Sequence, residues 1–345
     1  MAKNKYSKIV NKSKKKRNDP EYRRQFMKVF VLILFFVFLL MNLGVFTFAW
    51  FSSNKNAVID TIDINVETVS GLQISHDAIT WDNEITKEEL LNASMTYRSA
   101  LNQFPDTLAG VSTDGSASGG KMNMYYGIVN EDSHDVYSLY SVKENEINCN
   151  GNEECFGHHY VAFDIFLLTT SPATIGITSN SSVKPQEGAD DRGSQNAARI
   201  GFVVVGSVDA NASAAQSQAI SGGTTSYIWE PNYDTHTSYG VAAAKKFYGL
   251  TTTTSGGNRL PYKGINREFS DHVRLDQTDS SPYFSTVNPQ VATPSVFTNP
   301  QSLMRIPAGI TKVRVYMWLE GQDVDLENQA ANSRLSFDLE LSMIE

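Results

Sequence analysis

The chain has 345 residues, 41% of them hydrophobic, with a formal net charge of −8 and only two cysteines. An acidic chain keeps itself soluble and repels other acidic polymers, so nucleic acid is excluded as a partner of its main body. No Walker or Rossmann glycine pattern, H-E-x-x-H helix or G-x-S-x-G elbow occurs, so the common nucleotide-binding, zinc-protease and serine-hydrolase signatures are excluded too.

Residues 1–28 form a polar tail with eleven Lys or Arg (Lys14, Lys15, Lys16, Arg17, Arg23, Arg24 and Lys28 among them) against Asp19 and Glu21, a net of +9. Without apolar periodicity it reads as a disordered cytoplasmic tail drawn to anionic lipid. Residues 29–48, VFVLILFFVFLLMNLGVFTF, hold no charge and are hydrophobic all round, six of them Phe. As a helix this stretch spans about 30 Å, the thickness of a bilayer core. With +9 before it and −8 overall, the rest of the chain carries −17. Positive flanks stay inside, which places the N-terminus in the cytoplasm and residues 52–345 outside the cell.

Segment 29–51 reads in two ways. As a retained anchor it makes a single-pass cell-membrane protein, with Trp50 and Phe51 at the outer interface. As a secretory signal it is cut after Ala49, Thr47 and Ala49 supplying the small pair, and the rest is secreted. The long apolar run and the long basic segment favour the anchor.

Beyond the span, Ile62, Ile64 and Val66 alternate with Thr61, Asp63, Asn65 and Glu67, predicting a half-buried strand over 59–66. Leu72 and Ile74 suggest a second strand. Thr86 to Glu89 has capping-box spacing and predicts a short helix. The Gly- and Ser-rich segment 113–120 reads as a flexible loop, and 122–129 and 136–142 as strands. YVAFDIFLL (160–168) is apolar on both faces apart from Asp164, predicting a central strand covered on both sides, and 199–208 is similar. Segments 179–198 and 207–226 read as polar excursions, 241–247 as a helical turn, and 250–300 as long surface connections. KVRVYMWL (312–319) and RLSFDLELSM (334–343) close the chain as alternating strands. Eight or nine strands without βαβ alternation predict a mainly β fold: one antiparallel β-sandwich ectodomain over 52–345 with long loop insertions.

Cys149 and Cys155 are the only cysteines. Outside a membrane they would pair as a disulfide; with His158 and His159 next in sequence, a zinc site is the alternative, although C-x5-C is not a usual zinc spacing. His134, His236 and His272 lie in polar segments and read as solvated. Glu320, Asp323, Asp325 and Glu327 could hold calcium through carboxylate oxygens, or form a solvated turn after the Trp318 strand. Tyr227, Trp229 and Tyr233, with Glu230 between them, could stack a cell-surface glycan or pack beneath a loop. Asn92, Asn180 and Asn211 head Asn-x-Ser sequons.

The junction TFAWFSSNKNAVIDTIDINVE, with Ala49, Trp50 and Phe51 before the alternating strand, resembles the start of the camelysin/TasA family of Gram-positive bacteria. WLEGQD (318–323) before a final alternating strand resembles a feature of uncharacterised secreted Gram-positive proteins of this general type. The resemblance implies an exported jelly-roll sandwich, in some members a builder of biofilm matrix fibres by strand exchange. The basic tail, the cysteine pair and the longer ectodomain depart from that pattern. The reading is a non-enzymatic structural or adhesive surface protein; a carbohydrate-binding ectodomain and a metal-dependent peptidase are the alternatives.

Overall fold

The computed structural model describes residues 27, 62–69, 71–105, 107–133, 136–147, 158–238, 240–242, 262–274, 281–323, 325–326 and 333–344. The basic tail, the apolar stretch, the cleavage candidate Ala49 and the Cys149/Cys155 pair lie outside these residues. Among the described residues no helix is long and apolar enough to cross a membrane. The chain separates into two units, Met1–Phe48 and Ala49–Glu345, and the second carries the sheets.

The fold is mainly β. Its principal strands are β1 (Ile62–Val69), β2 (Met124–Ser133), β3 (Val136–Glu144), β4 (Val161–Thr169), β5 (Ala173–Ile177), β6 (Ala198–Val208), β7 (Thr225–Glu230), β8 (Gln301–Ile306), β9 (Gly309–Glu320) and β10 (Leu335–Ile344). One sheet runs β8–β5–β10–β1 and ends on the short strand Glu84–Thr86, with Ser182–Pro185 also on β10. The larger sheet runs Phe269–Arg274, β3, β2, Gly110–Ser112, β9, β6, β7, Val291–Ala292, and β4 also pairs with β9. β9 is the axis of that sheet: β6 lies along one edge, β4 and Gly110–Ser112 along the other.

The two sheets share one apolar core. Ile64 and Val66 of β1, Ile175 and Ile177 of β5 and Phe337, Leu339 and Leu341 of β10 meet Phe163, Ile165 and Leu167 of β4, Phe202 of β6 and Val313, Val315 and Met317 of β9. Period-2 alternation sends these residues to one side of each strand. The opposite face of the larger sheet is covered too, with Ala162, Val203, Tyr316 and Trp318 packed under Met122, Met124 and Tyr262. That second cover explains why β4 is apolar on both faces. Asp164 survives there because Arg314, its cross-strand partner, meets it with Nε to Oδ1 at 2.7 Å and Nη2 to Oδ2 at 3.1 Å, and Lys312 Nζ stands 3.2 Å away.

Local signals in the sequence hold where they are short range. The Thr86 hydroxyl accepts from Glu89 N–H at 3.3 Å while Glu89 Oε2 accepts from Thr86 N–H at 2.8 Å, capping the helix α1 (Lys87–Leu91). A second capping box, Ser213 with Gln216, starts α2 (Ala214–Gln218) inside the excursion expected at 207–226.

Three expectations change. The sheets are mixed rather than antiparallel: β1 runs parallel to β10, Gly110–Ser112 to β9, and Val291–Ala292 to β7. Segment 113–120 is not a free loop: Ala117–Ser118 pairs with Lys121–Met122, and Gly120 N–H donates to Gly223 O at 2.8 Å. Region 250–300, read as surface connections, supplies Ile265, Phe269 and Phe284 to a further apolar cluster with Tyr125 and Leu139. Its strands, such as Lys263–Ile265 and Phe284–Thr286, are too short for a periodic pattern to register.

That cluster depends on one close approach. A Cβ on Gly264 would lie 1.8 Å from Thr113 O, a backbone atom that cannot swing aside. Gly264→Ala should therefore cost about 2 kcal/mol through overpacking, read as a lower denaturant midpoint in equilibrium unfolding.

Candidate functional site

The candidate site is built around Arg199, second residue of β6, which sits directly opposite Trp318 of β9. Its side chain is 1% exposed. Nη1 donates to Asn196 O and Ala198 O, both at 2.8 Å. Nη2 donates to Glu230 Oε1 at 3.1 Å and to Asp323 Oδ2 at 2.6 Å. The ring of Tyr262 lies 4.8 Å from the guanidinium carbon, within cation–π range.

The turn after β9 brings in the acids. Asp323 Oδ1 accepts from Asp325 N–H at 2.9 Å. Asp325 in turn accepts from Thr237 N–H at 3.0 Å and Thr237 Oγ1 at 2.6 Å, and its Oδ2 is 2.5 Å from His236 Nδ1. Glu320 is fully buried at the end of β9, its carboxylate accepting from Trp318 Nε1 and Gln322 N–H, each at 3.2 Å. Two motifs far apart in sequence, WEPNYDTH and LEGQDVDLEN, thus converge on one arginine.

Burial pushes the Glu320 carboxyl up to about 7, against bonds from Ser112 and Trp318 and the pull of Arg199. Burial likewise raises Asp323, although Arg199 and His236 favour its charge. Burial opposes the charge on His236, but the Asp325 bond and the field of Asp323 prevail and raise it. Burial also opposes the charge on Arg199, yet Glu230 and Asp323 hold it firmly protonated. The cluster binds protons more tightly than its separate members would.

Several sequence expectations are corrected here. Trp229 is 1% exposed, belongs to the core shared by the sheets and donates Nε1–H to Thr293 Oγ1 at 3.0 Å, so its ring is no open stacking platform. Tyr227 packs half-buried against the same core, Glu230 points into the Arg199 cluster, and Tyr233 is half-buried with its N–H on Thr293 O. The solvated turn expected after β9 is buried at Glu320, Asp323 and Asp325. His236 is not a solvated surface histidine, its side chain being 2% exposed. His158 and His159 both stand on Glu144, at 3.4 and 2.6 Å from Nδ1, and the His159 ring stacks on Tyr126 at 3.9 Å. Sequence reasoning missed Arg199, Thr237 and Tyr262. A lone arginine inside an otherwise apolar strand was the available signal for the first.

Comparison with known protein families, curated protein sequences and solved structures gave no match. The likeness to the camelysin/TasA family rests on the junction residues quoted for it, and no family is assigned.

The geometry has two measurable outcomes. Glu320 has a folded value of about 7, above the ordinary 4.5, so its contribution is fully present below pH 4.5 and is lost as pH rises through 7. His236, also raised, acts in the same direction above its ordinary 6.5. In chelator-containing buffer, urea unfolding should show the protein less stable at pH 8 than at pH 5 by on the order of 3 kcal/mol, and Glu320→Gln should flatten that slope. Arg199→Met takes the guanidinium away from the buried Glu230 and Asp323 carboxylates and should cost about 3–5 kcal/mol in the same assay at neutral pH.

Proposed function

We propose that this protein is an exported, surface-displayed β-sandwich with a structural role, held on the membrane or released by cleavage near Ala49, and that released copies assemble by exchanging their first strand. The observation that carries the reading is the setting of β1. It pairs in parallel with β10 along all eight residues, Ile62 with Leu335 through Val69 with Ser342. Among the described residues its other edge pairs with Glu84–Thr86 over three residues, extended by Thr68 N–H donating to Asn83 O at 2.7 Å. It is the first strand described after the apolar stretch of 29–48, and it seats Ile64 and Val66 in the shared core.

A strand paired along its length on one edge and over a short stretch on the other can leave its sheet and fill the same groove in a neighbour, where main-chain bonds supply affinity and alternate side chains supply register. Such contacts do not close on themselves and propagate as filaments. Anchored in a bilayer, the same strand stays in its own sheet. The +9 tail ahead of the apolar run supports the outward orientation, and the acidic body suits an exposed, soluble surface.

Cross-linking tests the exchange. Asn65 and Asp338 are register partners whose neighbours Ile64, Val66, Phe337 and Leu339 point into the core. In the chain from Trp50, with Cys149 and Cys155 replaced by serine, Asn65→Cys with Asp338→Cys should lock β1 at home. Electron microscopy should show monomers when oxidised and fibres after reduction. Monodisperse monomer in both states at high concentration would sink strand exchange.

A further inference from the structure

The geometry points to a binding site for one divalent metal ion of zinc-like, borderline character on His236 and Asp323, with Asp325 orienting the imidazole. Ligand atoms of these three residues all lie within 4.8 Å of one another. Two features favour an ion over a merely self-paired cluster.

The first is the imidazole. His236 Nδ1 is engaged by Asp325 Oδ2 at 2.5 Å, while Nε2 is buried with no hydrogen-bond partner among the described residues. A carboxylate on one ring nitrogen and a free second nitrogen is the arrangement by which proteins orient a metal-binding histidine. The second is charge. Glu320, Asp323 and Asp325 are all buried, and among the described residues Arg199 is the permanent cation bonded within this group, through Asp323. Enclosed carboxylates in such excess are costly unless another cation joins them.

The donor set names the class of ion. An imidazole with carboxylates suits zinc, manganese or cobalt, whereas calcium takes about six to eight oxygens and no nitrogen. The sequence singled out Glu320 with Asp323 and Asp325 for calcium; the structure sets His236 in the place of Glu320. The ion would tie the segment after β7 to the turn after β9, whether or not β1 exchanges between copies.

The test uses the full chain in detergent, stripped with chelator and returned to zinc, cobalt, manganese or calcium chloride. One zinc or cobalt per chain is expected by elemental analysis, with cobalt absorption bands in the visible and a raised melting temperature. Cys149→Ser with Cys155→Ser should leave this binding intact, which separates it from a cysteine-loop site. His236→Gln should abolish it, and Asp325→Asn should weaken it by about tenfold or more. Should those variants fail to fold, nitrogen NMR of labelled histidine in the unsubstituted chain still reports whether zinc shifts His236 Nε2. No stoichiometric metal on the folded protein, binding of calcium alone, binding lost with the cysteines, or zinc held as tightly by folded His236→Gln would each overturn the assignment. In any of these cases protons alone balance the cluster.

Discussion

A single buried guanidinium connects segments that the sequence keeps far apart. Arg199 at the start of β6 holds Glu230 at the end of β7 and Asp323 after β9, and it lies over Tyr262 ahead of the Lys263–Ile265 strand. Glu230 and Tyr262 are the two ends of the excursion between β7 and that strand, so one side chain pins both. Taking this charge from water costs several kcal/mol, recovered only if every partner is in place. The cluster therefore acts less as a source of net stability than as a condition on register: a displaced β7 or a displaced turn would leave a charge unpaired in the interior.

The same logic recurs across the outer face of the larger sheet. Between the two sheets the core is apolar and needs only complementary shape. On the other face the cover is made of loops, and loops bring polar groups. There Asp164 joins Arg314 and Lys312, Tyr97 bonds Lys312 Nζ at 2.6 Å, and the Tyr316 hydroxyl donates to Glu146. Each of these pairings links a strand of the sheet to its covering or to a neighbouring strand. Against a body cross-tied in this way, β1 is held among the described residues by the β10 ladder, by Glu84–Thr86, by Thr68 bonds to Leu72 O and Asn83 O, and by core side chains. β1 is also the first strand described after the apolar stretch in sequence.

The amino-acid sequence by itself determined the elements whose signal is local. Alternation in 62–66, 160–168, 312–319 and 334–343 marked strands and their buried sides, because a strand's side chains must point to opposite faces wherever it is placed. Thr86 and Glu89 marked a helix start, because the capping bonds close within one helical turn. The acidic residues of 320–325 and the cluster around Trp229 were visible as unusual groups. What they do was decided only by tertiary structure. Strand direction leaves no trace in an alternating pattern, so the parallel pairing of β1 with β10 was hidden. Burial of Glu320, His236 and Trp229 depends on coverings contributed from distant segments, and a polar stretch reads as solvated until those coverings are in place. Arg199 could not be matched to Glu230 and Asp323 from spacing, since Coulomb attraction acts through space and the partners are separated by 31 and 124 positions.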